Sequence, residues 1–476
     1  MIEGAARGCE APSPPDAGRD SGNGREPEAG RQDVGDFGDA GPRDRLVSEL
    51  EFGAMVRAAP AQAALFALLD ALSGKPDELT RKQYWLLQES AHELETWLDG
   101  FGARDNRTWV AYAEINASIR NLAVAAHTLG HVMFRFGTYG VVLDGRSPAG
   151  ESHLVLFMNA LAECTRHLGG SILALVAELR REAERLGATP PPAVAARGHD
   201  AEVREFRLLL PPDLKEGKRA DGADEIARLL NDYLETAREA AKVREKMPSR
   251  GTGLAAFVAE HMTEQKARYW KQGVHSLQSR YDTHVKPTAH HERRELRRLR
   301  GHISLAYHLL EVVNDLAHFH ERHQADKALA HETIARVVPI EPLLEQALHF
   351  ALRWAAEVML TLETAVRQLL PQFTRQDAIE LALPDGVHLH ARPLNLIARV
   401  VRKHGKPVEI VVGTEASSAN SLMGLILFVG RHPQRRAYSF RGDQAPLKHL
   451  QLLFQHGLGE LGLDRLPAEL QYLRES

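Results

Sequence analysis

The sequence predicts a multidomain chain, an all-α helical bundle region followed by a small α+β domain with a four-stranded sheet and helices on one face. Three observations carry that expectation. At 476 residues the chain is long enough for roughly two to four cores. From Leu46 to about Leu370 apolar residues recur at intervals of three and four, and Leu, Ala, Glu and Arg dominate. After Pro371 the period switches to two, in Ile379-Glu-Leu-Ala-Leu383 and again in Val408-Glu-Ile-Val-Val412.

Residues 1–44 are rich in Gly, Pro, Asp, Glu and Arg and hold hardly an apolar side chain larger than Val. Such a stretch cannot bury enough surface to offset the entropy of ordering it, so it is expected to be a disordered tail. The helical pattern beyond it breaks where Pro and Gly cluster, at 74–76, 99–106, 137–150, 188–193, 211–222, 248–253 and 339–342. Long helical segments are expected at 114–136, 151–186, 223–246, 292–323 and 342–370. Three consecutive prolines end at Pro192, which divides the region into a helical bundle domain over 45–190 and a second helical region over 191–371. No fixed-period repeat is present.

The last part reads β-α-β-β-α-β-α. The strands lie at 379–383, 408–412, 415–418 and 436–441, and the helices at 393–404, 421–429 and 444–455. Four short strands with helices on one face make a compact α+β domain over 372–460. Residues 461–476 are left as a C-terminal tail.

Composition narrows the function. A formal net charge of -4 argues against a large nucleic-acid surface. Cys9 and Cys164 are the two cysteines, far apart, which is neither a disulfide framework nor a thiolate metal site. A reducing, cytoplasmic setting is therefore expected. No apolar run reaches the roughly 18 residues of a membrane span, and no secretory apolar segment opens the chain, so no membrane insertion is expected.

The segment Pro384-Asp-Gly-Val-His-Leu-His-Ala-Arg-Pro393 joins the first strand to the first helix of the α+β domain. Pro393 suits a first helical turn, where its missing N–H costs nothing. His390 then precedes a helix N-terminus, with the amides of Ala391 and Arg392 lacking intrahelical partners. Those donors, the positive end of the helix dipole and the Arg392 guanidinium make an anion site beside a neutral imidazole. That combination is a nucleophile aimed at a phosphoryl group.

Leu389-His-Ala-Arg-Pro393 resembles the signature of the histidine-containing phosphocarrier HPr of the phosphoenolpyruvate-dependent phosphotransferase system, Gly-Leu-His-Ala/Thr-Arg-Pro. A second string, Ala419-Asn-Ser-Leu-Met-Gly424, is similar to the family's helix start Ala-Lys-Ser-Ile-Met-Gly. It lies at the family's distance, 31 positions from His390 to Ser421. His-x-Arg-Pro alone is a weak signal, but two motifs in register within the right order of elements are a strong one.

The resemblance implies a phosphoacceptor role for His390, a phosphoryl-binding role for Arg392, and a regulatory phosphorylation site at Ser421. It implies an apolar docking patch of Leu422, Met423 and Leu425, with Arg399 and Arg402 as its basic rim. Its partners would be an enzyme I-like phosphoryl donor, a downstream phosphoacceptor protein and an HPr kinase. No cofactor is implied, and no metal. The loop before His390 is two residues longer than the family's, which admits His388 as a rival acceptor; the spacing to Arg392, Pro393 and Ser421 favours His390. Asn420 stands where the family has a lysine, which bears on recognition by a serine kinase. A docking-only HPr-like module is the alternative reading.

Three weaker signals lie in the helical region. His308, Glu311, Asp315, His318 and Arg322 share one face, either as metal ligands or, the plainer expectation, as a solvated face. Asn116, Arg120, His127, His131 and Arg135 form a cationic stripe on another helix, an anion site or simply an exposed face. The run His290-His-Glu-Arg-Arg-Glu-Leu-Arg-Arg-Leu-Arg300 is basic, with Leu spacing that fits an ordinary amphipathic helix.

Overall fold

The computed structural model describes residues 46–71, 79–190, 222–248, 253–324 and 330–474. The expected disordered tail and the boundary at Pro192 lie outside the described residues. The chain divides into two units, Met1–Val47 and Ser48–Ser476. Every described helix and strand lies in the second unit, which is mostly helical, with one small antiparallel sheet in its C-terminal region.

The helical part opens with α1 (Glu49–Ala58), α2 (Pro60–Ala71), α3 (Arg81–Gly100), α4 (Val110–Tyr139) and α5 (His153–Arg185). It continues with α6 (Ala223–Lys246), α7 (Leu254–His261), α8 (Glu264–Arg280), α9 (Arg294–Phe319) and α10 (His331–Val337). Local chemistry starts several of these. Ser48 with Glu51 and Thr80 with Gln83 form reciprocal capping boxes on α1 and α3. Helix α4 is central, packed on α3, α5 and α9, and its Ile115, Ile119, Leu122, Leu129 and Val132 are buried. The single helix expected over 342–370 is broken. It runs as α11 (Ile340–Leu343), a π-turn Leu344–His349, α12 (Phe350–Thr361) and α13 (Glu363–Leu369). Helix α9 likewise ends in a π-turn, His320–Gln324.

The C-terminal part has the expected order of elements: β1 (Gln376–Ala382), α14 (Ala391–His404), β2 (Val408–Val412), β3 (Glu415–Ser418), α15 (Leu422–Arg431), β4 (Ala437–Asp443) and α16 (Gln444–Gln455). The strands lie in the order β1-β4-β2-β3, every pair antiparallel. Ile410 and Phe440 from the sheet meet Ile397, Val401, Phe428 and Leu450 from the helices in a second apolar core, separate from that of the bundle. Burying such side chains contributes roughly 1.5–3 kcal/mol each, relative to leaving them in water.

One expectation about the C-terminal end of the chain is corrected. Residues 461–476 are not a loose tail through their described part, because Leu466, Leu470 and Leu473 are buried in the second core. The segment near Pro371 is packed as well. It forms a 3-10 turn, Leu370–Phe373, whose Leu370 and Phe373 are buried in the bundle core.

The two parts also meet through α6. Lys406, 6% exposed, donates to Asp224 Oδ1 at 2.7 Å and Asp443 Oδ1 at 3.1 Å. Arg228 Nε donates to the His404 carbonyl at 3.0 Å, and Asn420 Nδ2 donates to Glu235 Oε1. Lys406 also holds the Asp224 carboxyl below its ordinary range by hydrogen bonding to its charged form.

Candidate functional site

The loop between β1 and α14 is pinned at several points. Leu383 N donates to the Arg436 carbonyl at 2.7 Å, and Gly386 turns the chain at φ 76°, a conformation L side chains rarely adopt. The Arg436 guanidinium donates to the carbonyls of Val387 at 3.2 Å and Pro384 at 3.1 Å. This cation at the start of β4 holds the longer loop in shape.

The loop delivers His390 to the N-cap of α14, with extended backbone at φ −105°, ψ −175°. Its carbonyl accepts from Leu394 N at 3.1 Å, and its Nδ1 accepts from Arg392 N at 3.4 Å. Pro393 is buried in the first turn. At the other end Gly405, at φ 60°, closes the helix, and Arg402 and Lys403 complement the negative end of its dipole.

The ring of His390 is 55% exposed, and its Nε2 lies 3.5 Å from Glu460 Oε1. Because Arg392 N donates to Nδ1, that nitrogen's lone pair faces the first amides of α14, while Nε2 faces the Glu460 carboxylate. Arg392 Nη2 reaches the Gly459 carbonyl at 3.4 Å. Gly459, at φ 75°, takes a conformation L side chains rarely adopt, and a Cβ there would press within 2.7 Å of Leu396 Cδ1, so glycine suits the turn that brings Glu460 against α14. Next to it Leu458 is held left-handed at φ 53° with its side chain fully buried.

His388 is exposed, but it lies before the cap, and its carbonyl accepts from His390 N at 3.1 Å. It does not occupy the helix end. A cavity of about 570 Å3 opens beside both histidines, between α14, α15 and the start of β4, with Leu394, Ile426, Val429 and Arg435 among its walls.

Helix α15 is apolar on two faces, and the structure sorts them. Ser421 caps it, exposed, with Oγ accepting from Gly424 N at 3.1 Å. Met423 and Leu427 are each 63% exposed, and Ile426 is exposed beside them. Leu425, expected in the docking patch, is buried in the second core instead, because it shares the inward face with Phe428 and Val429. Leu422 is half-buried against that core. The basic rim is corrected as well. Arg399 donates to the carbonyls of Leu473 at 2.9 Å and Tyr472 at 3.3 Å, so it fastens the C-terminal segment, while Arg402 stays exposed.

Sequence reasoning missed Glu460, Arg436, Ile426 and Leu427. Ile426 and Leu427 carried a signal, an apolar run too long for one buried face of a ten-residue helix. Glu460 and Arg436 carried none, since both reach the site through long-range packing.

The polar stripes of the bundle face each other over much of their length, with Arg135 and Arg322 left exposed. Helices α4 and α9 pack together, and the His131 and His308 rings lie 4.8 Å apart. Glu311 Oε2 meets His308 Nδ1 at 2.7 Å, and buried Glu264 reaches both His318 and Arg322 at 3.3 Å. Asn116 is buried with its amide donating to the Ala91 carbonyl at 2.8 Å, and Arg120 pairs with Glu95. Asp315 is half-buried, and burial pushes its carboxyl up to about 7. Among the described residues no group of three or more His, Cys, Asp or Glu is placed to hold a metal ion. Nor is any single described helix long and apolar enough to cross a membrane.

Compared with protein-family models, curated proteins and solved structures, the chain matches none of them.

Proposed function

We propose that the C-terminal part is an HPr-like phosphocarrier that accepts a phosphoryl group on His390, in the cytoplasm, from an enzyme I-like donor. The observation that carries the reading is the exposed imidazole at the N-cap of α14, with Nδ1 turned to the helix amides. The antiparallel order β1-β4-β2-β3 with helices on one face supports the resemblance read from the two motifs.

The chemistry balances without a cofactor. The Nδ1 lone pair attacks phosphorus on the donor's phosphohistidine, the new N–P bond forms as the donor's breaks, and the donor imidazole leaves with the bonding pair. The Nε2 proton stays against Glu460. The amides of Ala391 and Arg392 and the Arg392 guanidinium take the phosphoryl oxygens, so rate comes from positioning and charge stabilisation. A downstream acceptor protein removes the group by the reverse step. Met423, Ile426 and Leu427 form the apolar surface on which donor and acceptor dock, with Arg402 at its rim. An HPr kinase acting on Ser421 would add about two negative charges beside that surface.

The test is incubation of the full chain with enzyme I and labelled phosphoenolpyruvate. Acid-labile, base-stable label is expected in the wild type and in His388→Ala, and none in His390→Ala. Label that survives His390→Ala but not His388→Ala would move the acceptor. Capture of enzyme I with no label would leave a docking module.

A further inference from the structure

The two stripes and the basic run converge where the C-terminal end of α4 crosses α9. Gly301 makes that crossing possible, since a Cβ there would overlap the Tyr139 carbonyl oxygen. Beside it opens a cavity of about 380 Å3, walled by α4, α9 and the end of α8 with the adjoining π-turn Tyr281–Val285. Its lining holds four permanent cations, Arg135, Lys286, Arg297 and Arg300, against one acid, Asp282. That acid is already engaged, bidentate to Arg300 at 2.9 and 2.7 Å. No ion pair engages Arg135, Lys286 or Arg297 among the described residues.

Two further features show that more than a charged surface is present. The Tyr139 hydroxyl and the Gln278 side-chain oxygen are shielded from solvent and have no hydrogen-bond partner. Such groups cost roughly 1–3 kcal/mol each when left unsatisfied. Burial above all, and then the neighbouring His308, Arg81 and Arg135, push His131 down to about 4.

We infer that this cavity binds a small phosphorylated, hydroxyl-bearing metabolite. Arg135, Lys286 and Arg297 would hold its phosphate, and Tyr139 and Gln278 its hydroxyls. Guanidinium forks match phosphate geometry, and the volume suits a sugar phosphate while excluding a folded partner. This inference stands apart from the reaction at His390.

The test is calorimetric titration of the full chain with glycerol 3-phosphate, ribose 5-phosphate and glucose 6-phosphate, and with inorganic phosphate, sulfate and ribose as controls. At least one organic phosphate is expected to bind about tenfold or more tightly than every control. Arg135→Gln with Arg297→Gln, exposed positions whose folding is checked by circular dichroism, should weaken it by about tenfold or more. Tyr139→Phe should weaken the organic phosphate but not inorganic phosphate. His390→Ala should bind as the wild type does, so loss of the phosphocarrier reading leaves this result standing. Equal binding of sulfate, binding retained in the double variant, or no binding by any of the three organic phosphates would each overturn the inference.

Discussion

The two ends of α14 treat charge in opposite ways. At the N-terminal end His390 stands in water, its Nδ1 engaged by one long amide contact and its Nε2 by one carboxylate at 3.5 Å. At the C-terminal end Lys406 is enclosed between Asp224 and Asp443, and Arg228 takes the His404 carbonyl. A helix of 14 residues separates the two by about 20 Å. The difference teaches that the bundle grips the sheet domain at the end away from His390. That leaves the N-terminal end open to something that comes and goes. Ser421, by contrast, follows Asn420, whose amide reaches Glu235 on α6.

The sharpest way to break this comparison is to remove the buried cation. Lys406→Met leaves Asp443, 2% exposed, without its counter-charge, although the amides of Arg375 and Ala445 still donate to it at 2.9 Å. A loss of about 3 kcal/mol is expected in urea unfolding. A loss under about 1 kcal/mol would mean that this end is not gripped through Lys406.

Asp315 sharpens the contrast, being half-buried and without an ion pair among the described residues. Lys271, Arg120 and Glu311 lie around it, and Asn314 donates to it at 3.3 Å. Its carboxyl is raised from 3.8 to about 7 in the fold, so the folded state holds a proton that the unfolded state has released. The stability this contributes is present below about pH 4 and lost as pH rises through about 7. Asp315→Asn should remove that loss, so the variant gains on the wild type between pH 5 and pH 8 in a series of denaturation midpoints. Parallel pH profiles would refute the shift.

Smaller effects are expected nearer the open end. Arg436→Ala frees the carbonyls of Pro384 and Val387 and should slow phosphorylation of His390 about tenfold while leaving unfolding within about 1 kcal/mol. Ser421→Asp keeps a good helix cap yet places a charge beside Asn420, whose amide holds Glu235. It should loosen the seam by about 1 kcal/mol or less, read as faster hydrogen exchange at 420–424 and at Glu235. Glu235→Gln should suppress that change.

The sheet domain was readable because its signals are local. Alternation, a Pro in the first turn and two short motifs gave the order of every element, and the helix expected at 444–455 is found as Gln444–Gln455. Strand β1 begins earlier than its apolar alternation, because Gln376 and Asp377 extend the ladder opposite Asp443 and Gly442 through backbone bonds alone. Leu425 was misplaced because a helix apolar all round does not announce which face is inside. The stripes on α4 and α9 were visible as stripes, but one helix read alone cannot reveal that its polar face meets another polar face. Glu460 reaches His390 through a glycine turn 70 positions away, a contact no spacing rule contains.

The most direct test of the central claim asks which nitrogen carries the phosphate. The full chain, with histidine labelled by nitrogen-15, would be phosphorylated by enzyme I and phosphoenolpyruvate and kept alkaline for nitrogen and phosphorus NMR, with His390→Ala as the assignment control. One phosphohistidine substituted at Nδ1, missing from the variant, is the expected result. Phosphate on Nε2, or a signal that persists without His390, would contradict the assignment of the lone pair to the mouth of α14.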